Sequence, residues 1–120
     1  MDSLPFCRVL WTIYKIMLEA IIVGAGHRAM LYASYAKHQP QRLRIVGVAD
    51  PDPLRREKAA HEHQLSDSQC YETARELAEE GRQADFIING TMDHQHVPTS
   101  VPLLEAGYDM LLEKDRKSVV

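Results

Sequence analysis

The stretch Ala20-Ile21-Ile22-Val23-Gly24-Ala25-Gly26-His27-Arg28-Ala29 decides the fold. Its four leading residues are wholly apolar, which suits a strand buried on both faces. The glycines then turn the chain. From about Arg28 to His38 the small residues Ala29, Ala33 and Ala36 mark one face of a helix that can lie close to a sheet, and Pro40 closes it. A second strand follows over Leu43 to Ala49, with Ile45-Val46-Gly47-Val48 as its buried part, and it ends at Asp50. Strand, glycine turn, helix, strand is a βαβ unit.

Working outward, the same alternation continues. Asp52 before Pro53 has the form of an N-cap and first helical residue, opening a helix towards His63. Ser66 to Tyr71 holds a short edge strand near Cys70. Thr73 with Glu76 three residues on fits a capping box, and Gly81 stands where a helix C-terminal glycine belongs. Asp85 to Asn89 is a fourth strand and Met110 to Leu112 a fifth. Between them a short helix is expected over Pro98 to Ala106, ending at Gly107. Pro102 would cost a backbone donor if it began as early as His96, so the helix is expected either to start near Thr99 or to be bent. The expected fold is α/β, a Rossmann-type doubly wound parallel sheet of about five strands in three layers. Residues 1–17 are set apart as an extension, 18–115 form the domain and 116–120 a tail.

Composition narrows the field further. The 120 residues are 45% hydrophobic and 26% charged, the balance of one globular domain, and 14 Lys+Arg against 17 Asp+Glu give a net charge of −3. That charge argues against a nucleic-acid partner. Cys7 and Cys70 form no CxxC or zinc-ligand spacing, so no metal is expected and the chain reads as cytoplasmic. Arg8 and Lys15 interrupt the apolar N-terminal stretch, which excludes a spanning segment. Phe6, Leu10, Ile13 and Met17 recur at helical spacing, so an amphipathic helix is expected there, unless Met17 is the true start.

The glycine turn carries the chemistry. Gly24-Ala25-Gly26-His27-Arg28-Ala29 follows a strand, opens a helix and lies in a βαβ unit of about thirty residues ending in an acid, the context of a dinucleotide-binding fingerprint. Gly24 allows the tight turn, Gly26 lets a pyrophosphate reach the backbone amides around His27 and Arg28, and Ala29 keeps helix and strand close. Asp50, 21 positions after Ala29, is placed to accept hydrogen bonds from an adenosine ribose, favouring NAD over NADP by charge repulsion. Arg55 and Arg56 read first as a solvated helix face, and would soften that preference if turned inwards. A class I methyltransferase also places glycines after its first strand and an acid after its second, and is the rival reading.

Three motifs in order resemble the Gfo/Idh/MocA oxidoreductases over about Leu18 to Lys114. Besides the glycine turn with Asp50, Asn89-Gly90-Thr91-Met92-Asp93-His94-Gln95-His96 is similar to the family's Thr-Pro-Asn-x-x-His segment. Ala106-Gly107 followed by Leu111-Leu112-Glu113-Lys114 is similar to its Ala-Gly-x-x-Val-x-x-Glu-Lys-Pro signature. The resemblance implies NAD, with NADP admissible, as cofactor. It implies that Thr91 and Met92 line it, that His96 and Glu113 hold its nicotinamide-ribose end, and that Lys114 is the catalytic lysine beside the reacting carbon.

Asp115 replaces the signature's proline, and with six residues after Lys114 the family's second domain, which the resemblance says completes a sugar or polyol site, is not expected within these residues. The expectation is therefore a cofactor domain that binds dinucleotide and turns over little alone, with a sugar-like substrate only if a second domain is supplied. Its exposed last strand edge would admit a homo-oligomer. The alternatives are a non-catalytic dinucleotide-binding or interaction module and a fragment of an NAD-assisted glycoside hydrolase. His61 and His63, two apart, read as surface histidines, and Cys70 as a packed apolar residue.

Overall fold

The computed structural model describes residues 17–91 and 93–112. The expected amphipathic helix at the N terminus and the residues Met92, Glu113 and Lys114 lie outside them. Five strands form one parallel sheet: β1 (Leu18–Val23), β2 (Leu43–Ala49), β3 (Cys70–Tyr71), β4 (Phe86–Asn89) and β5 (Asp109–Leu112), in the order β3-β2-β1-β4-β5. The helices are α1 (His27–Ala33), α2 (Tyr35–His38), α3 (Pro53–His63), α4 (Ala74–Glu79) and α5 (Asp93–Glu105).

Alternation along β1 divides the core. Ala20 and Ile22 face the small side chains Ala29, Ala33, Ala36 and Ala59 of α1 to α3, with Ile45, Val48 and Ile88 beside them. Ile21 and Val23 face the other way, with Ile87, towards Leu77, Leu103 and Tyr108. Helices therefore cover both faces, giving the three layers expected, and each fully buried isoleucine contributes about 1.5–3 kcal/mol of transfer free energy. Among the described residues no helix is long and apolar enough to cross a membrane.

Two helices differ from expectation. The helix after the glycine turn breaks at Ser34 into α1 and α2, because the Ser34 hydroxyl donates to the Leu31 carbonyl and competes with the helical ladder. The last helix starts at Asp93, not near Thr99, and contains both Pro98 and Pro102. The prolines delete two rungs, yet tertiary bonds hold the segment helical. Buried Asn89 donates to Thr99 Oγ1 and Ser100 Oγ, each at 3.0 Å, and Leu103 is fully buried against the sheet. The capping box at Thr73 also differs by one residue. Thr73 Oγ1 accepts from Glu76 N as expected, whereas Glu76 Oε1 accepts from Glu72 N.

Candidate functional site

The sheet order reverses direction at β1. From there α1 carries the chain out to β2 on one side, while β4 lies on the other, which makes the C-terminal ends of β1 and β4 the switch point, where sheets of this kind have their ligand crevice. The glycine turn sits at its mouth. Gly24 N donates to Ala49 O and Gly90 N to Val23 O, both at 2.8 Å, so the loops leaving β1 and β4 continue the ladder side by side.

Each glycine there answers a different demand. Gly24 has φ +79°, and a Cβ on it would stand 2.7 Å from Thr91 Cγ2 and 2.8 Å from Thr91 N. Gly90 would place a Cβ 2.5 Å from Ala29 Cβ, so it sets how closely α1 approaches β4. Gly26 is unlike both. Its φ of −77° suits any residue, and among the described residues a Cβ there meets nothing within 4 Å. It is the N-cap of α1, whose first amides receive no side-chain cap.

Asp50 closes the turn from the end of β2. It is only 3% exposed. Its Oδ2 accepts from Ala25 N and its Oδ1 from Asp52 N, both at 2.8 Å, while its carbonyl accepts from Arg56 Nη1 at 2.7 Å. Asp52 in turn caps α3 by accepting from Leu54 N. One carboxylate thus ties the glycine turn to the start of α3.

Across the crevice, fully buried Asn89 plays the matching part for β4. Its Oδ1 accepts from Thr91 N at 3.1 Å and from Thr91 Oγ1 at 2.6 Å, while its amide nitrogen holds Thr99 and Ser100 of α5. Asn89 and Gly90 were not singled out by sequence reasoning as site residues. The available signal was local: a polar residue and a glycine directly ending an apolar strand, as Gly24 ends β1.

The structure brings Gly24, Ala25, Gly26, Asp50 and Thr91 together around one crevice. His27 begins α1 and Arg28 follows, exposed. His96 stands in the first turn of α5, partly buried, with its carbonyl 3.3 Å from Thr99 Oγ1. Arg55 and Arg56 do not share one solvated face. Arg55 reaches Asp52 at 3.8 Å in an exposed pair, whereas Arg56 folds back to Asp50. Arg56 also lies near Cys70, whose thiol burial pushes up together with Asp67, against a smaller opposing effect of Arg56.

A cavity of about 520 Å³ lies at the opposite end of the strands, where β2 begins, lined among others by Met17, Lys37, Leu43 and His63. It is remote from the glycine turn. His63 Nε2 is buried there without a hydrogen-bond partner among the described residues, and burial holds the imidazole below the usual histidine pKa; Glu62 raises it and Lys37 lowers it by smaller amounts.

Known proteins share this architecture. The WlbA dehydrogenase of Chromobacterium violaceum, solved with NADH and UDP-GlcNAcA, superposes with a TM-score of 0.74 at 21% identity, covering 83% of this chain and 28% of its own. Apo scyllo-inositol dehydrogenase of Lactobacillus casei gives 0.69 at 18% identity, covering 82% and 28%. Biliverdin reductase of Synechocystis sp. PCC 6803, solved with biliverdin and NADP+, gives 0.66 at 18% identity, covering 82% and 29%. At such identities the likeness shows the fold, and the chain spans under a third of each relative's length. Comparison with curated proteins finds no match. The family described as oxidoreductase family, NAD-binding Rossmann fold, matches residues 18–114, most of the chain. On that match the chain belongs to the Gfo/Idh/MocA oxidoreductases, whose NAD-binding Rossmann fold it carries.

Proposed function

We propose that this chain is the dinucleotide-binding part of an oxidoreductase acting on a sugar, polyol or related compound. The observation that carries the reading is the open space over Gly26. Gly24 and Gly90 are required by the fold, but nothing in the described protein requires a glycine at 26. Its lack of a side chain serves something that approaches from outside, against the uncapped amides at the start of α1.

The residues fit a nicotinamide dinucleotide. Gly26 and the first amides of α1 would hold its pyrophosphate, Asp50 its adenosine ribose, and Thr91 with the start of α5 its nicotinamide end. When bound, the dinucleotide supplies the hydride donor or acceptor. The chain's own part is to orient it: Asp50 fixes the glycine turn, and Asn89 fixes Thr91. Met92, His96 and Glu113 are assigned to the nicotinamide end, and Lys114 to the reacting carbon, on family resemblance.

The substrate class is supported by the sugar-nucleotide and inositol enzymes among the structural relatives. Because the chain spans 28% of the WlbA structure, these 120 residues are proposed to bind the cofactor with little or no turnover of their own. A thermal-shift series with NAD, NADP and S-adenosylmethionine tests the reading, since a ligand specific to the native state raises its stability. Stabilisation by a nicotinamide dinucleotide is expected. Stabilisation by S-adenosylmethionine alone would replace the reading with a methyltransferase.

A further inference from the structure

The neighbours of buried Asn89 fix which way its side chain lies. The Thr91 amide can only donate, so the Asn89 atom 3.1 Å from it is the oxygen, and the Thr91 hydroxyl, 2.6 Å from that same oxygen, donates to it as well. On the other side the Asn89 amide nitrogen donates to Thr99 Oγ1 and Ser100 Oγ, each at 3.0 Å. Thr99 keeps one hydrogen of its own, and gives it to the Gln95 carbonyl at 2.6 Å. A chain of bonds with every proton assigned thus runs from Thr91 through Asn89 and Thr99 to the first turn of α5.

It ends where backbone support is thin. Pro98 and Pro102 have no amide hydrogen to give the carbonyls four residues before them, so α5 lacks two rungs. The Thr99 hydroxyl bonds the Gln95 carbonyl and lies 3.3 Å from that of His96, which makes a side chain the brace of the first turn. At the other end of the crevice the glycine turn is held separately, by Asp50 on Ala25.

We propose that Thr99 is a positioning residue for the nicotinamide end of the dinucleotide. It locks the first turn of α5 to Asn89, and through Asn89 to Thr91, so that the two protein segments assigned to that end are set together. The adenosine and pyrophosphate end, fastened by Asp50, does not depend on it. The proposal rests on the dinucleotide reading above.

Calorimetric titration of the 120-residue chain with NAD and with ADP-ribose tests it, because ADP-ribose lacks only the nicotinamide. Wild type is expected to bind NAD about tenfold more tightly than ADP-ribose. Thr99→Val keeps the shape and removes the hydroxyl, and should bring the two affinities to within about twofold by weakening NAD alone. Thr99→Ser should recover most of the preference. Ser100→Ala deletes a bond to the same Asn89 nitrogen without touching the first turn, so its preference should stay within about twofold of wild type. In wild type, amides of residues 95–100 should exchange hydrogen more slowly with NAD bound than with ADP-ribose bound.

A Thr99→Val loss shared equally by both probes overturns the proposal, since it marks Thr99 as a strut of the fold. So does an unchanged preference in folded Thr99→Val. If that variant loses its circular-dichroism signal, the wild-type ratio and the exchange pattern decide, and equal protection by the two probes counts against the proposal. Binding of neither probe by folded wild type would overturn the dinucleotide reading itself, whereas equal binding of both would overturn this role of Thr99 alone.

Discussion

The carboxylate of Asp50 accepts the amide of Ala25 at 2.8 Å across 25 residues of chain, joining the end of β2 to the turn that follows β1. The same side chain holds the amide of Asp52, so both loops at the mouth of the crevice depend on one buried acid. Asn89 does the equivalent work between β4, Thr91 and α5.

Asp50→Asn keeps the shape but presents an N–H₂ to one of the two amide donors. Hydrogen bonds to charged groups contribute about 1.5–3 kcal/mol, and a loss in that range is expected from urea unfolding of the variant. An unchanged midpoint would show that the two amides find other acceptors.

The glycines separate by the demand each meets. Gly24→Ala combines a left-handed φ with contact against Thr91, and Gly90→Ala drives a methyl into Ala29, so each should cost about 1–3 kcal/mol or more in chemical unfolding. Gly26→Ala should cost less on the same assay, up to about 1 kcal/mol for the loss of a favoured N-cap residue. Equal losses at all three positions would contradict the distinction.

His63 sets a pH dependence. Burial depresses its folded pKa, so between that value and about 6.5 the unfolded chain binds a proton that the native chain refuses. Its contribution to stability is therefore full above about 6.5 and is lost as pH falls through the window below. Measured by denaturant unfolding across this range, His63→Leu should gain stability relative to wild type as the pH drops; parallel curves would show that His63 titrates alike in both states.

Much of this architecture was written locally. The apolar runs at Ala20–Val23, Leu43–Ala49 and Phe86–Asn89 announce strands buried on both faces, and Asp52-Pro53 announces the start of α3. What escaped depends on distant contacts. Pro98 and Pro102 argue locally against the long helix α5, and bonds from Asn89 ten residues earlier outweigh them. Gly90 matters only because Ala29 lies against it, which no spacing in the sequence reveals. Asp50 was recognisable as an acid at a strand end, but not that both its oxygens would already be engaged by amides.

The central claim is that Gly26 is a glycine for a ligand's sake. Calorimetric titration of NAD into wild type and Gly26→Val, with melting recorded for both, tests it most directly. Valine can adopt φ −77° and meets no described atom, so its melting temperature should stay within about 4–8 °C of wild type, a change of ~1 kcal/mol. NAD affinity should fall by about a hundredfold or more, because the side chain fills the space proposed for the pyrophosphate. Equal NAD affinity in the two folded proteins would contradict the account.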